Sequence, residues 1–115
     1  MNIFYIHRTM RNKIFEIPIP SKVVEFAEFV KKSKPNVRKI FLFGSYAKGT
    51  WNADSDIDLA IIFDNYEDEH DILVELMKLR RNFDLRIEPH PLNVSDFNSA
   101  HPLSTEILRY GIEIL

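Results

Sequence analysis

Phe43-Gly44-Ser45-Tyr46-Ala47-Lys48-Gly49, followed by Ser55-Asp56-Ile57-Asp58 and the apolar run Leu59-Ala60-Ile61-Ile62-Phe63, is the stretch on which the fold of this chain turns. Val37 to Phe43 reads as a strand that runs into a turn at Gly44-Ser45, and Ile57 to Phe63 as a second strand. The second strand is apolar at successive positions, so both its faces must be covered. Gly44 permits a tight backbone turn, and Ser45 can donate its N–H and hydroxyl to phosphate oxygens where a short helical turn, Tyr46 to Lys48, begins. Lys48 adds a cation for the same anion, and Gly49 lets the backbone return close to it.

The two aspartates set the chemistry. Residues two apart on a strand point to one side, which would place the Asp56 and Asp58 carboxylates side by side with Cα atoms roughly 6.5 Å apart. Two unit charges about 4 Å apart repel by about 4 kcal/mol at an effective dielectric of 20, so the pair requires a proton or a cation. Hard oxygen ligands in an incomplete shell favour Mg²⁺, one or two ions, with water and substrate phosphates filling the remaining positions. A phosphate-holding turn beside a carboxylate pair is the outline of a metal-assisted nucleoside triphosphate site.

Outward from this stretch, the elements alternate. Ser21 reads as a helix N-cap, with Val23, Val24, Phe26, Ala27 and Val30 on one face up to about Lys32, and Lys34-Pro35-Asn36 as the stop. Tyr66 to Arg81 carries Ile72, Leu73, Leu76, Met77 and Leu79 at helical spacing. Phe83 to Glu88 alternates apolar and charged residues, which predicts a half-exposed strand with Asp84, Arg86 and Glu88 on its polar face. A short turn of helix follows over Asn93 to Phe97, then a helix from Ser104 to Tyr110 ended by Gly111, and an apolar tail at Ile112 to Leu115. Residues 2–6 read as a short strand or a loose arm, and Lys13 to Ile19 as an alternating segment interrupted by Pro18 and Pro20. The fold class is therefore α/β or α+β, a mixed sheet with helices packed on it.

Composition bounds the rest. With 115 residues, 45% of them hydrophobic and 28% charged, the chain suits one globular domain over 1–115, its motif-bearing core at about 21–97 and an arm at 1–20. The formal net charge of −2 gives no overall basic field, so nucleic acid is not expected as a partner, local basic patches aside. No cysteine is present, which excludes disulfides, thiolate metal ligands and cysteine nucleophiles and points to the cytoplasm. No apolar run approaches the roughly 18 residues of a membrane span, and no leader-like apolar block opens the chain. Phe4, Tyr5 and Phe15 suggest a contact surface and a possible homo-oligomer.

These residues carry a resemblance. Gly44-Ser45-x-x-x-Gly49 followed by Ser55-Asp56-x-Asp58 and apolar residues resembles the minimal nucleotidyltransferase domains of the DNA polymerase β superfamily, over roughly Ser21 to Phe97. The resemblance implies that ATP binds with Mg²⁺ and that a nucleoside monophosphate passes to a hydroxyl with release of pyrophosphate. It implies that Gly44, Ser45, Lys48 and Gly49 hold the nucleotide and that Asp56 and Asp58 bind metal. Many members carry arginine where this chain has Lys48, so the charge is kept and the bidentate fork is not. The family also uses a third carboxylate on a later neighbouring strand, as metal ligand or base. Glu88, thirty residues beyond Asp58, is the preferred match and Asp84 the alternative. His90, between Pro89 and Pro91, reads as a rigid loop residue at the edge of the site, and Tyr46 and Trp51 as base-stacking or core-covering aromatics.

Small stand-alone members resemble antitoxins that adenylylate a tyrosine of a helical HEPN-type toxin, and the shortness of this chain fits that acceptor. A transferase acting on a small molecule or an RNA end is a second expectation. A non-catalytic module that binds nucleotide or neutralises a partner by contact is the third, and its signature would be the loss of a site carboxylate.

Overall fold

The apolar runs on either side of the Gly44 turn pair with each other at the centre of a four-stranded mixed sheet. The computed structural model describes residues 3–10, 12–97 and 101–115. In chain order the elements are β1 (Ile3–Met10), β2 (Lys13–Pro20), α1 (Ser21–Ser33), β3 (Val37–Phe43), α2 (Gly44–Lys48), β4 (Ile57–Phe63), α3 (Glu69–Leu79), a 3-10 turn at Arg80–Asn82, β5 (Ile87–Asn93), α4 (Val94–Phe97), α5 (Pro102–Tyr110) and β6 (Ile112–Glu113). The sheet order is β5-β4-β3-β6, with β4 parallel to β5 and antiparallel to β3, and β6 antiparallel to β3. This is the mixed sheet the sequence predicts.

Both faces of β4 are buried, as its unbroken apolar run requires. Ile57, Leu59, Ile61 and Phe63 join Ile40 and Leu42 of β3 and meet Val23, Phe26, Ala27 and Val30 of α1 and Leu76 of α3. On the other face Ala60 and Ile62 join Phe43 and Leu92 and are covered by Ile107 of α5, with Phe41 and Phe97 at the margin. Each such large aliphatic side chain contributes about 1.5–3 kcal/mol on leaving water. The sheet is thus held between helices, and its strand ends form the rim where polar groups can collect.

Several boundaries differ from the sequence reading. Ser21 is the first helical residue of α1 rather than its cap; Pro20 occupies the N-cap position at φ −56 and ψ 140, because β2 runs directly into the helix. The helix α3 begins at Glu69, where the Asp68 side chain accepts from the Asp71 N–H at 3.1 Å, and Tyr66 stays in the preceding loop. The tail after Gly111 is paired: Ile112 sits opposite Leu42 and Glu113 opposite Phe41.

The N-terminal segments form a two-stranded antiparallel ribbon, described from Ile3 onward, so Asn2 lies outside the described residues. Pro18 and Pro20 do not interrupt it. A hairpin closed at Met10 opposite Lys13 alternates hydrogen-bonded and non-bonded pairs, and this phase puts Pro18 and Pro20 at positions where no ladder N–H is needed. Ile17 and Ile19 on the inner face are fully buried in the core with α1.

The largest correction concerns Phe83 to Glu88. Residues 83–86 are turn and the strand starts at Ile87, so Asp84 and Glu88 do not share a strand face. The Asp84 carboxylate accepts from the Arg86 backbone N–H at 2.9 Å and from its guanidinium at 3.1 and 2.7 Å. A short side chain that bonds the backbone two residues on favours a turn over an extended ladder.

Candidate active site

Gly44 follows β3 directly and has a φ of +72, a left-handed conformation that glycine adopts without steric cost. A Cβ at this position would overlap Asp58 Oδ2, so the turn lies against the carboxylate with room for a hydrogen only. Ser45 begins the helical turn, and Gly49, at φ +76, ends it with its N–H directed to Tyr46 O at 3.3 Å. Thr50 N–H donates to Ser45 O at 3.0 Å, which closes the loop on itself.

Asp58 is the second residue of β4 and pairs with Phe43 on one side and Glu88 on the other. Residues in register on adjacent strands point to the same face, so Asp58 and Glu88 emerge together at the edge of the sheet. The parallel ladder starts where Ile57 N–H donates to Arg86 O at 2.8 Å. That phase directs the N–H groups of residues 88, 90 and 92 inward and leaves Pro89 and Pro91 facing the open side of the edge strand. His90 is therefore a strand residue, not a loop residue as the prolines suggest. Its Nε2 lies 3.1 Å from Asp58 Oδ1, and its ring packs edge-on against Phe43 with centroids 4.9 Å apart. The sequence signal for this contact is the alternation Glu88, His90, Leu92 against Ile87, Pro89, Pro91.

Arg80 reaches the same strand. Its Nη1 donates to Ile87 O at 2.8 Å and to Leu85 O at 3.3 Å, and lies 3.7 Å from Glu88 Oε2. Asp56 is exposed and precedes β4, so strand alternation governs Asp58 but not Asp56. The approach to it is a tight turn, with Asn52 Oδ1 accepting from Asp54 N–H and Asn52 N–H donating to Ser55 Oγ, each at 2.8 Å. Asp84 is engaged in its pair with Arg86; that guanidinium holds the Asp84 carboxyl below the usual carboxylate range, against the opposing effect of burial. Lys48 is turned toward α5, with Nζ 3.0 Å from Glu106 Oε1 and 5.0 Å from the Tyr110 ring centroid. Tyr46 and Trp51 stack on each other at 5.5 Å rather than on an open face. Among the described residues, no three carboxylates or imidazoles stand close enough to enclose a metal ion by themselves.

The arrangement juxtaposes a backbone turn suited to phosphate, one half-buried carboxylate braced by an imidazole, and further acidic groups at the same strand ends. Comparison with known proteins agrees with it. A family model described as "Polymerase beta, Nucleotidyltransferase" matches residues 25–115. A Methanocaldococcus jannaschii protein whose name proposes a protein adenylyltransferase is 44% identical over 43 residues. That match spans 36% of this chain and 43% of the relative, so the chain covers less than half of that protein's length. Among solved structures, a chain of a toxin–antitoxin complex with AMP-PNP superposes with a TM-score of 0.62 at 25% identity, covering 83% of this chain and 71% of that one. A Sulfolobus solfataricus protein named as a candidate nucleotidyltransferase gives 0.61 at 19%, covering 81% and 76%. A chain from the complex of a tri-AMPylated Shewanella oneidensis HEPN toxin with MNT antitoxin gives 0.54 at 21%, covering 82% and 71%. These last two are likenesses of fold.

Proposed function

The chain belongs to the polymerase beta nucleotidyltransferase family, and from that premise we propose that it transfers AMP from ATP to a tyrosine hydroxyl of a HEPN-type toxin, for which it serves as antitoxin. The observation that carries the reading is the contact of Gly44 with Asp58, since a triphosphate lying on the Gly44-Ser45 turn would stand beside that carboxylate, two anions that a divalent cation would bridge. The acceptor is supported by the name of the relative and by the likeness to a toxin–antitoxin complex with AMP-PNP.

Gly44 and Ser45 would hold the phosphates through backbone N–H groups and the serine hydroxyl, and Gly49, whose own N–H closes the turn on Tyr46 O, would let the backbone return close to them. Lys48 would exchange Glu106 for a phosphate oxygen. Asp56, Asp58 and Glu88 are hard oxygen donors of the kind Mg²⁺ takes together with water and triphosphate, though among the described residues no three such groups are placed to hold an ion by themselves. When bound, the metal would neutralise phosphate charge and polarise the phosphoryl oxygens. In the transfer the acceptor oxygen bonds to the α-phosphorus, the bond from that phosphorus to the bridging oxygen breaks, and pyrophosphate leaves. Glu88, in register with Asp58 on the edge strand, would serve as metal ligand or as base for the hydroxyl proton, with Asp84 held in its turn by Arg86. His90 keeps the Asp58 carboxylate oriented.

The test is incubation of the full chain with ATP radiolabelled at the α-phosphate, Mg²⁺ and a HEPN-type partner. Label is expected on a partner tyrosine. A partner that binds tightly yet stays unlabelled with Mg²⁺ and with Mn²⁺ would make the chain a contact antitoxin instead.

A further inference from the structure

At the Lys48 end of α2 lies a cavity of about 690 Å³ that shares Lys48 with the proposed transfer site and contains none of Gly44, Ser45, Asp56, Asp58 or Glu88. Arg8, Lys13 and Phe15 of the hairpin line it together with Lys48, Arg109 and Tyr110, and among the described residues no carboxylate does. Four cations thus face one concavity in a chain of net charge −2. Lys48 is compensated by Glu106. The other three are not: among the described residues no carboxylate forms an ion pair with Arg8, Lys13 or Arg109. The Arg8 guanidinium donates to the carbonyls of Ala47, at 3.4 Å, and Tyr110, bonds that orient it while leaving its charge in place.

We infer that this cavity binds a phosphorylated nucleotide, free or as a unit of a single strand, at a site that adjoins the proposed transfer site through Lys48 and extends from it over the hairpin and α5. Guanidinium and ammonium groups suit the phosphate and Phe15 supplies an aromatic ring for a base, the combination by which unpaired nucleotides are held, while the Tyr110 ring already carries Lys48 Nζ at 5.0 Å from its centroid. The volume is in the range of small-ligand sites. An acidic peptide would satisfy the cations and make no use of the Phe15 ring. Arg8, Lys13 and Phe15 all precede residue 25, where the family match begins, so the hairpin adds this cavity to the family core.

The test is fluorescence anisotropy of the full chain with a short labelled oligouridylate in metal-free buffer, with AMP and inorganic phosphate as competitors. Binding is expected, with AMP displacing the strand far more effectively than phosphate does. Lys13→Glu and Arg109→Glu, both at exposed side chains, should each flatten the slope of log Kd against log salt by about 0.7. Phe15→Ala should weaken binding roughly 5- to 150-fold through lost stacking. Binding of AMP without the strand would still support the site and assign it to free nucleotide. Absence of binding by both, displacement by phosphate as effective as by AMP, or a Kd unmoved in the Arg109→Glu and Phe15→Ala variants would overturn the inference.

Discussion

At Gly44 a backbone φ of +72 and the carboxylate of Asp58 occupy the space any other residue would need. Gly44→Ala should therefore cost at least about 1–2 kcal/mol in denaturant unfolding from the left-handed conformation alone, and should lower transfer as Asp58 is pushed aside. Asp58→Asn keeps an oxygen for His90 but removes the charge, so it should retain its melting temperature while losing at least about a hundredfold in transfer rate; a variant that unfolds would make Asp58 structural. Asp84 provides a pH test. Its folded pKa is lowered, chiefly by the hydrogen bonds from Arg86, so the pair contributes stability above the unfolded carboxyl value of about 3.9 and loses it as pH falls through the folded value. Stability of Asp84→Asn, followed from pH 6 to pH 2, should fall less steeply than that of the parent. The Gly44 turn and the Asp58 carboxylate against it are legible in the sequence because they belong to one strand–turn–strand, whereas Asp56, exposed and before β4, does not share the strand face that alternation predicts. The contact of His90 with Asp58 is not, since it joins residues 32 apart through strand register.

Among the elements, β3 and β4 fall at the residues the sequence predicts, because an apolar run bounded by turn residues has little alternative to a buried strand. The segment 83–88 has the alternation of a strand and is mostly turn, and the reason is a competition. Phe83, Leu85 and Ile87 could line one face only if residue 84 paired along a neighbour, whereas Asp84 bonds Arg86 and Arg80 draws in the Leu85 carbonyl. The outcome is measurable: Leu85 is 68% exposed and Ile87 fully buried. Leu85→Ala should change stability by less than about 0.5 kcal/mol, and Ile87→Ala should cost about 2–5 kcal/mol. Equal costs in thermal unfolding would restore the longer strand. A second lesson lies in β5, where prolines suggest a loop; an edge strand tolerates them because only alternate N–H groups enter the ladder.

For the whole molecule, the hairpin is the part that sequence reading leaves most open and the fold uses in two ways. Its inner face completes the core through Ile17 and Ile19, while Ile14 is 74% exposed. Ile17→Ala is expected to destabilise by about 2–5 kcal/mol and Ile14→Ala by under about 0.5 kcal/mol, a contrast that would vanish if the hairpin were a loose arm. The same inner face, farther along at Arg8, Lys13 and Phe15, meets α2 and α5 around the basic cavity. Among the described residues no helix is long and apolar enough to cross a membrane. By itself the sequence determined the mixed α/β class, the strand–turn–strand at Gly44 and the acidic residues beside it, because turn chemistry and apolar runs act over a few neighbouring residues. Only the tertiary structure decided that Glu88 rather than Asp84 stands in register with Asp58, that His90 braces that carboxylate, that Lys48 turns to Glu106, and that Arg8, Lys13 and Arg109 share one cavity. Each of these depends on strand register and on helix packing across the sheet, which bring together residues that local sequence pattern does not relate.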